Sequence, residues 1–387
     1  MNISRVFYLS LSLFMSMTLA SCTLQKSAQP AAKASSQEVL QIINQVNQYW
    51  QANNPAEKWA MWDVVAYHTG NMEVYGITKN PAYKQYSERW AVHNQWMGAK
   101  STEKEKWKYA YGEKDDYVLF GDWQICFQTY IDLYNLDKDE KKIARALEVM
   151  DYQMQTAKSD YWWWADGLYM VMPVMTKLYK VTGNKLYLDK IYEYWKFADQ
   201  LMYDADEKLY YRNAKYIYPK HKSVNGKKDF WARGDGWVFA GLAKVLQDLP
   251  KNDQHRAEYL QRFTAMAEKI KLSQQAEGYW TRSLLDPTHA PGPETSGTAF
   301  FVYGMLWGIR NNVLPAKVYE PVAQKGWKYL SNIALQPDGK IGYVQPIGER
   351  AIPGQLVDKN STASFGVGAF LLASAEMYRH QLSKGSN

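Results

Sequence analysis

Two kinds of helical segment alternate along this chain, and the alternation limits the fold more than any other feature. An apolar segment rich in small residues ends near a Leu-Tyr-like pair. A short polar turn follows, then a strongly amphipathic segment rich in Tyr, Lys and Glu. The clearest copy runs from Asp166 to Leu201. Its first helix, 165–181, carries few charges, with Lys177 and Lys180 near its end. Thr182-Gly183-Asn184 forms the turn, with glycine as the stop signal. The second helix, 185–201, alternates aromatic and charged residues at helical spacing.

The pair recurs as 62–77 with 82–96, 117–134 with 140–156, 236–249 with 256–272, and 298–309 with 317–333. An amphipathic segment, 36–51, precedes these pairs, and an apolar one, 362–380, follows them. A helix apolar nearly all round must be buried, whereas an amphipathic helix buries one face. Six of each, alternating, predict an all-α (α/α)6 barrel: an inner ring lining the core, an outer ring covering it, and first and last helices meeting to close it. A two-layer solenoid is the alternative, and it would need capping repeats that are not evident. One continuous core implies one catalytic domain over 36–384. Inner-to-outer turns are short. Most outer-to-inner connections are long and carry short β-like pieces, such as 209–213 and 340–345. Long loops on one face of a rigid scaffold are where sites are built.

The front of the chain reads as a targeting signal over 1–21. Arg5 is its positive region, and Phe7 to Leu19 is apolar but too short for a membrane span. It closes on Leu19-Ala20-Ser21-Cys22, which is similar to a bacterial lipobox; acylated Cys22 would then be the mature N-terminus. Residues 22–35, rich in Ala, Ser, Gln and Lys, read as a flexible tether. The expectation is an exported protein, lipid-anchored to a bacterial membrane on the periplasmic side, and monomeric. The other cysteine, Cys126, sits in an apolar helical run and reads as packing. No Cys/His cluster has metal-ligand spacing, so neither metal nor cofactor is expected.

The net charge is +7, but Lys and Arg are dispersed among Asp and Glu, with no basic stripe of the kind nucleic acid requires. Nucleic acid is therefore not an expected partner. The balance suits an anionic substrate. Aromatics make up 15% of residues, an excess that fits ring stacking on sugars as well as core filling.

In such a ring the inner helices run in one direction, so their N-termini share one rim. The unusual clusters fall there: Trp62-Asp63 and Tyr67-His68 on the first inner helix, Asp115-Asp116 on the second, and Trp162-Trp163-Trp164-Ala165-Asp166-Gly167 on the third. The fourth opens with Trp231-Ala232-Arg233-Gly234-Asp235-Gly236-Trp237, the fifth with Glu294-Thr295-Ser296-Gly297, and the sixth with Ser361-Thr362. Singly, each Asp or Ser reads as a helix cap and each Trp as packing. Together they supply what an acidic-sugar site needs: acid/base carboxylates, a cation and stacking platforms. Asp166 is the leading catalytic candidate. Three tryptophans before it keep water away and raise its pKa, a neighbouring Asp116 would raise it further, and the helix N-terminus lowers it.

These motifs resemble those of the unsaturated glucuronyl and rhamnogalacturonyl hydrolases, glycoside hydrolase families 88 and 105, with the likeness leaning to the second. The specific pieces are Ala165-Asp166-Gly167-Leu168-Tyr169-Met170 with Pro173, the Trp231 to Trp237 motif, and Glu294 to Ala299. The resemblance implies that the enzyme removes a 4,5-unsaturated uronic acid from the non-reducing end of lyase products, by hydrating the C4=C5 bond. It implies Asp166 as the acid/base and Asp116, or Asp115 in a shifted register, as the second carboxylate. It also implies Tyr67, Trp231, Arg233 and Trp237 as contacts to the unsaturated uronic-acid oligosaccharide; His68 and Ser296, in the same rim clusters, are further substrate-binding candidates. Where those families carry a His before the Trp-Ala-Arg-Gly motif, this chain has Arg212, which suits an extra anionic group on the substrate. Two rivals stand beside this reading: an inverting (α/α)6 glycosidase using Asp116 and Asp166, and a non-catalytic glycan-binding lipoprotein.

Overall fold

The computed structural model describes residues 35–385; the signal segment, Cys22 and most of the tether lie outside them. The described helices are α1 (Ser36–Asn53), α2 (Trp62–Thr78), α3 (Pro81–His93), α4 (Gly121–Gln124), α5 (Cys126–Asp137), α6 (Ala144–Gln155) and α7 (Ala165–Thr182). They continue as α8 (Leu186–Met202), α9 (Ala232–Asp248), α10 (Arg256–Leu272), α11 (Thr295–Arg310), α12 (Ala316–Tyr329) and α13 (Ser364–Gly385). The apolar helices form the inner ring: α2 touches α5, α5 touches α7, then α9, α11 and α13 follow in turn, and α13 returns to α2. The amphipathic helices α1, α3, α6, α8, α10 and α12 lie outside. This is the (α/α)6 barrel that the alternation predicts. Among the described residues, strand is limited to an antiparallel pair, β1 (Tyr203–Asp204) and β2 (Leu209–Tyr210). The segment 340–345 makes only an isolated bridge, Leu335 to Ile341.

The turns leaving α2, α5 and α7 are short because Lys79, Lys138 and Gly183 each adopt the left-handed conformation and send a backbone N–H back to the helix they end. Ring closure depends on glycine. A Cβ on Gly70 of α2 would lie 2.2 Å from the carbonyl oxygen of Gly368 on α13, and one on Gly368 would lie 2.0 Å from that of Ala66. No side chain fits between these backbones. Pro173, inside α7, cannot donate to the carbonyl of Tyr169. Gln128 of α5 fills the vacancy, its Nε2 donating to Tyr169 O at 2.7 Å. The proline thereby becomes a cross-link between two inner helices.

At the end of the ring where the inner helices finish, each contributes a charge. Lys177 of α7 pairs with Asp132 of α5. Lys180 pairs with Asp248 of α9 at 2.8 Å, and Arg310 of α11 with Glu376 of α13 at 2.8 Å. Glu73 of α2 takes Arg379 of α13 at 2.8 Å and Lys244 of α9 at 4.0 Å. Burial pushes the Glu73 carboxyl up, but Arg379 and Lys244 outweigh it and hold its pKa at about 2. The ordinary value is 4.5, so Glu73 stabilises the fold fully above that pH and loses its contribution as pH falls toward 2. We expect Glu73→Gln to cost ~3 kcal/mol at neutral pH. In denaturant titrations the gap from wild type should close on acidification; a gap independent of pH would contradict the pairing.

Candidate active site

At the opposite end, the inner-helix N-termini surround a cavity of about 400 Å³. The start of α2 and its lead-in supply Trp59, Met61, Trp62 and Asp63. Asp122 comes from α4, and Trp163, Trp164, Asp166 and Met170 come from α7 and the residues before it. Long loops complete the wall with Tyr111, Glu113, Arg212, Lys215, Ile347, Gly348 and Glu349. Four indoles and five carboxylates meeting two cations make a wall suited to a sugar acid.

Asp166 is fixed by its neighbours on both sides. Trp164 before it is extended and bridges to Asn213, and the Ala165 N–H donates to Arg212 O at 2.8 Å. The first turn of α7 is thus tied to the loop that carries Arg212. Asp166 is 6% exposed, and its Oδ2 lies 2.9 Å from Arg212 Nε. The N–H does not point along this contact, so it is an ionic contact and not a formed hydrogen bond. Arg212 Nη1 also lies 3.6 Å from Glu349 Oε2.

Asp122 is buried in the first turn of α4. Burial raises its carboxyl pKa well above the usual range, the charges of Asp166, Asp63 and Glu113 add to that, and Arg212 opposes it. The carboxylate of Asp166 in the same low-water cavity disfavours ionisation of Asp122, which is thereby pushed toward its protonated form. Burial raises Asp63 as well, against hydrogen bonds from its own and Val64's backbone.

Asp116 does not line this cavity. The second inner helix starts at Gly121, not at 117, because the preceding segment pairs with another stretch of the same loop. Lys108 N donates to Asp116 O, and Leu119 N donates to Lys108 O. The Asp116 side chain takes Lys108 Nζ at 2.5 Å, and Asp115 accepts from Lys100 N. The carboxylate that the helix start delivers is therefore Asp122. The sequence signal was Gly121-Asp122-Trp123, a small residue, an acid and an indole, much as at Ala165-Asp166.

Of the other site candidates, Arg212 lines the cavity and the rest are placed behind it. Tyr67 donates to Asn47 Oδ1 at 2.7 Å and accepts from Gln51, tying α2 to α1. His68 stacks on Trp90 at 4.1 Å, bonds Ser87, and is pushed down to about 3 by burial, so it is a neutral core group. Trp237 packs between Tyr169 and Phe300 and backs the cavity-lining Trp62 edge-on.

Trp231, Arg233 and Ser296 share one target. Trp231 Nε1 donates to Gln345 Oε1 at 2.8 Å. Arg233 is fully buried and spends its two terminal nitrogens on Gln345 O, at 2.5 Å, and Pro346 O, at 2.8 Å. Ser296 donates to Glu294, whose carboxylate caps α11 and accepts from Gln345 N at 3.1 Å. Both sequence motifs thus clamp the loop whose next residues, Ile347 to Glu349, wall the cavity. Trp59, Tyr111, Glu113, Lys215 and Glu349 stand in irregular loops and carry no periodic signal.

Comparison with known proteins agrees with this geometry. A model described as Glycosyl Hydrolase Family 88, one of the two families the motifs resemble, matches residues 34–381. A protein of Formosa agariphila named unsaturated 3S-rhamnoglycuronyl hydrolase is 30% identical over 85% of this chain and 88% of its own. A solved structure of a glycosyl hydrolase family 88 protein from Bacteroides vulgatus is 59% identical, covers 90% of this chain and 100% of its own, and has a TM-score of 0.88. Another, described as a polysaccharide lyase, is 66% identical over 90% of this chain and 99% of its own, with a TM-score of 0.89.

The Gln345 side chain also donates to Arg350 O and Gln355, so Gln345→Ala leaves several buried groups unpaired. We expect a loss of about 1–3 kcal/mol of local stability. Amide exchange should quicken over 345–356 while the inner helices stay protected; uniform quickening would contradict a local clamp.

Proposed function

Since the chain belongs to Glycosyl Hydrolase Family 88 and is a glycoside hydrolase, we propose that it removes the 4,5-unsaturated uronic acid from the non-reducing end of polysaccharide-lyase products. The observation that carries the proposal is the buried Asp122 with Asp166 in one cavity walled by indoles and cations, the Asp122 carboxyl pushed up by burial and by Asp166. A proton from the pair adds to C4, delivered by Asp166. Water adds to C5, and its proton returns to the pair. The hemiketal at C5 opens its ring bond to a ketone, and C1 expels the leaving sugar as it becomes an aldehyde. The net change is the addition of one water. Asp122 takes the second-carboxylate role that the resemblance gave to Asp116. Trp59, Trp62 and Trp163 offer stacking faces, and the name of the Formosa agariphila relative supports rhamnose as a leaving sugar.

The relative described as a lyase supports a second reading, in which the chain makes the double bond rather than consuming it. Absorbance at the unsaturated-uronate band separates the two: hydration lowers it and a lyase raises it. With an unsaturated disaccharide we expect a fall. Asp166→Asn and Asp122→Asn should slow it ~10²–10⁴-fold, and Asp116→Asn should leave it within about twofold, as for a surface substitution. Equal loss from Asp116→Asn would contradict the assignment.

Export and lipid anchoring at Cys22 rest on the Leu19-Ala20-Ser21-Cys22 pattern. Cys22→Ser should move the protein from the membrane to the soluble fraction and abolish labelling by a fatty-acid probe. Unchanged labelling would count against the anchor.

A further inference from the structure

Arg233, the cation that the sequence motif offers to a uronate, is not presented to the cavity: its terminal nitrogens are bonded to backbone carbonyls and it is fully buried. The cations that line the cavity, among the described residues, are Arg212 and Lys215. Arg212 is held in place by its backbone, through its carbonyl on Ala165 N, while its guanidinium stays uncommitted. Its Nε is buried with no hydrogen bond of usable angle, 2.9 Å from Asp166, and its Nη1 is 3.6 Å from Glu349. A planar fork between two carboxylates, bonded squarely to neither, is set to accept a third anion bidentately.

We infer that Arg212 and Lys215 form the subsite for an anionic group of the substrate, and that an anion bound there draws Arg212 off Asp166. The inference rests on the proposed function for its substrate class. Substrate binding and readiness of the acid are then one event. In the empty site the guanidinium neutralises Asp166. With the anion in place the fork turns to the substrate, and the Asp166 carboxyl is released from Arg212 for proton transfer. A neutral sugar leaves Arg212 where it is. The anion is either the uronate carboxylate itself or a sulfate on the leaving sugar. Arg212 acts on the chemistry through Asp166 and is a positioning residue as well as a binding one.

The test is a double-mutant cycle on binding, read by calorimetry with a saturated uronyl-rhamnose disaccharide that hydration cannot consume. Its uronate methyl ester and a rhamnose-sulfated form of that ester are the other two ligands. Arg212→Ala should weaken binding of the acid about tenfold or more, as expected for loss of a charge-assisted bond, and Arg212→Lys should restore part of it. Asp166→Asn should tighten binding of the acid several-fold, because Arg212 is no longer shared. That gain should vanish in the Asp166→Asn, Arg212→Ala double variant. If the methyl ester loses these effects, the carboxylate is the anion; if the sulfated ester regains them, the sulfate is. Equal tightening by Asp166→Asn with and without Arg212 would reduce the effect to simple repulsion and overturn the inference. So would unchanged affinity of Arg212→Ala for both the acid and the sulfated ester. Wild-type enzyme that leaves the unsaturated disaccharide intact would instead overturn the hydration reading, with the binding cycle still deciding the anion subsite.

Discussion

Everything in this molecule depends on two helix backbones touching. Gly70 on α2 and Gly368 on α13 meet where no Cβ can stand, and the contact closes a ring whose members lie about 300 residues apart in the chain. Ring closure brings six N-termini to one rim and six C-termini to the other. The far rim is filled by ion pairs drawn from every inner helix. The near rim is left open, and long loops build a cavity on it. The same constraint that makes the fold compact therefore decides that the site has aspartates at the starts of helices and its cations on loops.

The cavity wall is organised around Gln345. It receives Trp231 and Arg233 from the start of α9, and Glu294 at the cap of α11 accepts its backbone N–H. Two helix starts distant in sequence from it thereby hold one loop at fixed height, and that loop carries Glu349 to within 3.6 Å of Arg212. The most distinctive motifs in the sequence do their work one layer behind the cavity. Their conspicuous composition, indoles and a buried arginine, reflects the demand of burying polar groups with every partner in place.

Architecture was legible because helical periodicity and the apolar-amphipathic alternation are long-range signals that loops do not disturb. Asp166 was legible because an acid following three indoles at a helix start has few other uses. Asp116 was misplaced by helix register. The apolar pattern begins at 117, but Lys108 pairs with the backbone there and delays the helix by a turn, which puts Asp122 and not Asp116 in the cavity wall. Arg233 could not be assigned from sequence, since whether an arginine faces a cavity or a carbonyl depends on a loop more than a hundred residues away. Tyr67 and His68 sit on an inner helix near the rim, yet their faces turn to α1 and α3. Glu349 and Lys215 belong to irregular loops whose path only tertiary contacts define.

The central claim is that the Asp122–Asp166 pair protonates a carbon–carbon double bond from one fixed side. The most direct measurement is proton NMR of the product formed in deuterium oxide, read before the α-keto position exchanges. The account predicts deuterium on a single face of C4, because the donor is held in the wall of the cavity. Equal labelling of both faces would mean that the enzyme cleaved the glycosidic bond directly and that the unsaturated sugar rearranged afterwards in solution, which would contradict it.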